Sequence, residues 1–146
     1  MYLLSQFIYS FLSTVGFSIL FNVPRKSLIY AGITGGVGWT LFTYIKEVVF
    51  SIPFSSFIAA IVVALLGELF ARIDKKPVTA FVIPGIVPLV PGYGIYLTMI
   101  NLINDDFNTA IKVGTNAIFT GGAIAIGIIL VSSIAKVLKT TNTKNT

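Results

Sequence analysis

Charged residues divide the chain into long stretches that carry none. Residues 1–24, 27–45, 48–67, 77–104 and 113–135 are five such runs, of 24, 19, 20, 28 and 23 residues, and together they take up 114 of the 146 positions. A helix needs about 20 mostly apolar residues to cross a bilayer, and each run is near or above that length. The pattern therefore predicts an all-α, polytopic integral membrane protein with five spans, near 2–23, 27–45, 53–72, 78–104 and 112–136. These form a single transmembrane domain over 1–139. Residues 140–146 are polar, with nothing to bury, and are expected to form a disordered tail.

The fourth run does not read as a continuous helix. Pro84, Pro88 and Pro91 recur at intervals of four and three, and Pro84-Gly85 and Pro91-Gly92 stand at the two ends of the segment. Each proline removes a backbone donor and crowds the preceding turn, and Pro-Gly pairs mark breaks or reversals. The expectation is a span interrupted by an unwound middle. Within hydrocarbon, such backbone survives only if protein buries it or it lines a water-filled cavity. Transporters use broken spans to aim half-helix ends at a substrate. The start of the second half, at Gly92 and Tyr93, favours an anionic group such as a carboxylate. The competing reading is a proline kink that serves packing alone.

Other polar and small residues carry two readings each. Thr98 and Asn101, and Asn116 and Thr120, are spaced to share a helix face. They either bond across helices, the commoner role, or supply ligands to a zwitterionic substrate. Glu68 precedes Arg72 by one turn, which fits an interfacial ion pair or a proton-coupling carboxylate. Gly32 and Gly36 make a small-xxx-small pair in the second span, and Gly114, Gly121, Gly122 and Gly127 punctuate the fifth. These glycines read as helix–helix seams, with a substrate path as the sharper alternative. Asn22 is expected to cap the first span. Tyr2, Trp39, Tyr44 and Phe50 are expected near span ends as interfacial anchors.

Composition removes whole classes of chemistry. The chain has neither Cys nor His, which excludes thiol nucleophiles, disulfides, imidazole catalysis and the usual zinc ligand sets. No cofactor or metal is implied. A membrane-embedded enzyme would need a nucleophile–base pair or clustered acids, and Glu68 is the one acid near the membrane interior, so enzymatic function ranks last. Only 10% of residues are charged, and mean hydropathy is +0.94. The net charge of +5 does not indicate nucleic acid, because the basic residues stand at the ends of the apolar runs. With five spans and the N-terminus outside, Arg25, Lys26, Arg72, Lys75, Lys76, Lys136, Lys139 and Lys144 face the cytoplasm, and only Lys46 and Lys112 lie outside. This eight-to-two split predicts an outside N-terminus and a cytoplasmic C-terminus. The first run lacks a basic leader and a small-residue cleavage site, so it is not read as a removable signal.

Several stretches are familiar together. Gly16-Phe17-Ser18-Ile19-Leu20-Phe21-Asn22-Val23-Pro24, Ala31-Gly32-Ile33-Thr34-Gly35-Gly36 and, above all, Lys76-Pro77 leading to Ile83-Pro84-Gly85-Ile86-Val87-Pro88-Leu89-Val90-Pro91-Gly92 resemble the threonine/serine exporter family. The likeness is greatest to its short, split form, in which the membrane half is a separate YjjB-like subunit, and it runs from about Gly16 to Gly127. The resemblance implies a secondary exporter of small hydroxy amino acids or, in some split members, a small dicarboxylate, driven by the proton gradient. It also implies a second membrane subunit and a place in the bacterial cytoplasmic membrane; independently of the resemblance, the unwound backbone has to be covered by a partner or at minimum a second copy. A small structural or pore-forming membrane protein is the alternative.

Overall fold

A computed structural model describes residues 2–144, with side chains through residue 137. Six helices account for nearly all of it: α1 (Tyr2–Leu20), α2 (Leu28–Val49), α3 (Ile52–Asp74), α4 (Thr79–Ile86), α5 (Gly92–Ile103) and α6 (Phe107–Lys144). Among the described residues there is no strand. Four helices are long and apolar enough to span a membrane alone. A fifth span results if α4 with its following 3-10 turn and α5, bent by 46° at a short break, count as one.

The connections are tight because α1, α2, α3 and α5 each stop at a left-handed residue. Asn22, Phe50, Lys75 and Asp105 all have φ between 54° and 58°. At Asn22 the Val23 N–H reaches back to the Ser18 carbonyl and the Asn22 N–H to Ile19, the pairing of a Schellman cap. Asn22 thus caps the first span as its sequence context predicts. The same six-to-one bond closes α3, from Lys76 N–H to Ala71 O, and α5, from Asp106 N–H to Asn101 O. Asn and Asp tolerate the left-handed region more readily than other non-glycine residues, so residue preference helps at Asn22 and Asp105, whereas at Lys75 the six-to-one bond from Lys76 sets the turn. Among the described residues α6 meets no such stop. Residues 138–144 contain neither Gly nor Pro, and the helix backbone continues to Lys144, where a disordered tail is expected from composition. Residues 145–146 lie outside the described residues.

Packing inverts the soluble pattern. The interior is small or hydroxylated: Ala31, Ala59, Ala60 and Ala64 are buried, and so are Thr14, Ser18, Thr34 and Ser55. Large apolar side chains such as Leu12, Leu65, Ile118 and Ile129 point outward, as a lipid-facing surface requires. α1 packs on α2, α2 on α3, and α3 on α6, while α4 is wedged against α1, α2 and α3. α5 packs on α6 and makes no comparable contact with the other helices. Two apolar clusters fix this order. Phe42, Val63, Leu89 and Ile124 tie α2, α3, the turn after α4 and α6 together, and Ala31, Ala71 and Phe81 join α2, α3 and α4 at the other end.

Trp39 departs from expectation. It stands at the middle of α2, not near a span end, because the helix runs on to Val49. Its indole packs on Phe42, with ring centroids 5.1 Å apart. Its Nε1–H donates to Gln6 Oε1 of α1 at 2.8 Å. Trp39 is an interior tie between two helices, and an indole N–H at that depth needs such an acceptor.

Candidate functional site

The break in the fourth span is narrower than its prolines suggest. Pro84 sits inside α4, and the helix continues past it to Ile86. Pro88 occupies the start of a 3-10 turn (Val87–Leu89), where a missing N–H costs nothing. The chain leaves helical geometry only at Val90 and Pro91. Pro91, at φ −77° and ψ 51°, centres a three-residue turn closed by the Gly92 N–H on the Val90 carbonyl at 2.8 Å. α5 then begins at Gly92 without a side-chain cap, so its first amides are not taken up by a capping side chain.

The candidate residues of this segment divide into two groups. Pro84 and Gly85 are buried, and a Cβ on Gly85 would lie 2.8 Å from Thr34 Cγ2 and 3.2 Å from Val63 Cγ1. Gly85 therefore lets α4 approach α2 and α3, and it does not open onto a cavity. Gly92 is the opposite case: it is exposed, with nothing within 4 Å of the position a Cβ would take. Tyr93 beside it is 75% exposed, and Pro88 and Pro91 are half-buried.

The four polar residues farther along bond within their own helices. Thr98 Oγ1 donates to Gly94 O at 2.8 Å and Asn101 Nδ2 to Leu97 O at 2.7 Å. Thr120 Oγ1 donates to Asn116 O at 2.8 Å, with the Asn116 side-chain oxygen at 3.4 Å. Among the described residues no hydrogen bond joins the α5 pair to the α6 pair. What brings these helices together is close approach at small residues: Gly114 faces Thr98, and Gly94 faces Ala117. The glycines of α2 make a similar seam, Gly32 against Phe11 and Val15, Gly36 against Phe7, and Gly35 against Thr14. Farther along α6, Gly127 follows suit, against Phe57 O and Ala60 Cβ of α3, whereas Gly121 and Gly122 face open space.

Glu68 is half-buried and belongs to a different place from the break. It lines a cavity of about 770 Å³ between α3, the start of α4 and α6, together with Arg72, Lys75, Lys76, Ser132 and Lys136. This is the basic end of the bundle. The two connections there are tied by Ser27 Oγ, which donates to Asp74 Oδ2, an anchor that sequence reading did not single out.

Sequence reading also passed over a polar stripe on α1. Gln6, Ser10, Thr14 and Ser18 recur every four residues and so share one face; Ser10, Thr14 and Ser18 are buried, and Gln6 is half-buried. Ser10 Oγ donates to Gly35 O at 3.0 Å and Ser18 Oγ to Thr14 O at 2.7 Å. Thr14 Oγ1 is buried without a hydrogen-bond partner. The four-residue spacing was the available signal, hidden because the run is uncharged and reads as uniformly apolar.

Comparison with known proteins places the chain. The family model described as threonine/serine exporter, ThrE, matches residues 6–134. An uncharacterized protein of Haemophilus influenzae is 29% identical over 136 residues, which cover 88% of this chain and 46% of that protein. The chain thus spans about half the length of that relative. No solved structure matches. A membrane-embedded helical bundle with a broken span of this Pro-Gly pattern, matched over nearly its whole length, belongs to the threonine/serine exporter family.

Proposed function

We propose that this chain is the membrane subunit of a proton-coupled secondary exporter of small hydroxy amino acids, threonine and serine, or of a small dicarboxylate, and that it works with a second membrane subunit. The observation that carries this reading is the broken span. α4 is locked among α1, α2 and α3, while α5 departs at 46° and packs chiefly on α6. The uncapped start of α5 at Gly92 offers amides and the positive end of a helix dipole to a carboxylate. Irregular backbone at Val90 and Pro91 has to be shielded from lipid, and a partner subunit or a second copy supplies that cover. A relative about twice as long supports a partner of similar size.

In this reading Pro88, Pro91, Gly92 and Tyr93 shape the site. Thr98, Asn101, Asn116 and Thr120 exchange their intrahelical bonds for contacts with the substrate. Pro84 and Gly85 hold the first half-helix in register. Glu68, at the basic end, is the candidate proton carrier. The basic residues put that end in the cytoplasm of a bacterial cell, with the N-terminus outside. Efflux of threonine, serine and succinate from loaded cells, normalised to inserted protein, tests the assignment. Co-expression with the partner subunit should give efflux that the chain alone does not. Transport by the purified chain reconstituted as a monomer would refute the need for a partner, and no efflux of any of the three with the partner present would refute the substrate class.

A further inference from the structure

The cavity at the basic end continues into the bilayer-facing side of the bundle. Its 770 Å³ volume is ringed by Arg72, Lys75, Lys76 and Lys136, and Glu68 is its one acidic lining residue. Asp74 does not line it and instead accepts a hydrogen bond from Ser27. A second cavity of about 390 Å³ runs along the outer edge of the α3–α6 seam and shares Glu68, Arg72 and Ala135 with the first. Its remaining lining is purely apolar: Ile61, Leu65, Leu69, Val131 and Ile134. A cationic bowl at a helix end, opening into an apolar groove that follows the helices inward, matches an amphiphile with an anionic head.

We propose that this paired cavity binds an anionic phospholipid, its phosphate among Arg72, Lys75, Lys76 and Lys136 and one acyl chain along the α3–α6 groove. Arg72, Lys75 and Lys76 against the one carboxylate, Glu68, leave an excess of positive charge, which a net-neutral zwitterionic headgroup does not reduce and an anionic one does. Basic pockets between transmembrane helices recognise anionic headgroups by this complementarity. A soluble anion would need the bowl alone, and the continuity with the groove selects a lipid. Pro77 and Val78, which lead into α4, form part of the bowl, so the headgroup rests against the root of the broken span.

The test is native mass spectrometry of the detergent-purified full chain titrated with dioleoyl phosphatidylglycerol or dioleoyl phosphatidylcholine. The expected result is preferential retention of phosphatidylglycerol. Each neutralised cation should weaken retention about fivefold, so the double variant Lys75→Gln/Lys76→Gln, at two exposed positions, should lose well over tenfold while phosphatidylcholine binding is unchanged. Leu65→Trp, which fills the groove and leaves the bowl intact, should also weaken retention. Two results would overturn the proposal. One is equal retention of the two lipids, or retention that the double variant leaves unchanged. The other is displacement of phosphatidylglycerol by millimolar inorganic phosphate, succinate or chain-free glycerophosphoglycerol, which would make the bowl a site for soluble anions. Helical circular dichroism of each variant establishes that the loss is of binding and not of fold.

Discussion

Gly35 and Thr14 compete for the same space in the α1–α2 seam. A Cβ on Gly35 would overlap the Thr14 hydroxyl and lie 2.8 Å from Thr14 Cβ, so Gly35→Ala has to push the helices apart. Overpacking of this kind costs roughly 1–3 kcal/mol, and thermal unfolding in detergent should show that loss. Thr14→Val should behave oppositely. The Thr14 hydroxyl is buried and bonds to nothing, so a methyl of the same shape removes an uncompensated polar group and leaves stability equal or higher. A fall in melting temperature for Thr14→Val would mean that the hydroxyl has a partner in the membrane. Asp106 tests charge at a helix start. Its carboxylate accepts from the Thr109 N–H at 3.2 Å and caps α6, and the Thr109 hydrogen bonds hold its pKa below the usual carboxylate value. A depressed pKa stabilises the folded state above the ordinary carboxylate range, and the contribution is lost as pH falls through the lowered value. Wild type should therefore melt higher than Asp106→Asn at neutral pH, and the two curves should converge in acid.

At the level of the element, the two glycines of the broken span separate packing from chemistry. Gly85→Val drives a side chain into Thr34 and Val63 and should cost roughly 1–3 kcal/mol, read as lost membrane-inserted protein. Gly92→Val meets no protein atom, so it should accumulate normally and lose efflux, because the new side chain screens the first amides of α5. Normal efflux per inserted protein in Gly92→Val would remove the break from the mechanism. The all-helical, span-rich character of the chain was legible because absence of charge over about 20 residues favours a membrane-crossing helix, and four helices, or five with the α4–α5 pair, are long and apolar enough to span. Where the break falls was not legible. Proline counts locate strain, but Pro84 is absorbed within α4 and Pro88 at the start of a turn, and tertiary packing against α2 and α3 decides that. The α1 stripe and the place of Trp39 were missed for a related reason, since an uncharged run reveals neither which face is inward nor where its helix is centred.

At the level of the whole molecule, the proposed direction of insertion, with the basic end in the cytoplasm, is open to a direct test. Single cysteines at Lys26 and Lys75, both exposed, should resist an impermeant thiol reagent in intact cells, as should one added at the C-terminus, while cysteines at Phe50 and Asn104 should react. Labelling at the C-terminus would mean that α4 and α5 form a re-entrant loop and not a crossing. The inverted packing of the bundle also has a consequence for how the chain drifts over evolutionary time. An interior position filled by Gly, Ala, Ser or Thr can change almost only by growing, and growth there separates helices. A lipid-facing Leu, Ile or Phe exchanges freely with its neighbours in size. The 29% of positions shared with the Haemophilus influenzae protein should therefore cluster on the inward faces, at Ser10, Thr14, Gly32, Gly35, Ala60 and Gly85, while the outer surface is rewritten from one lineage to the next.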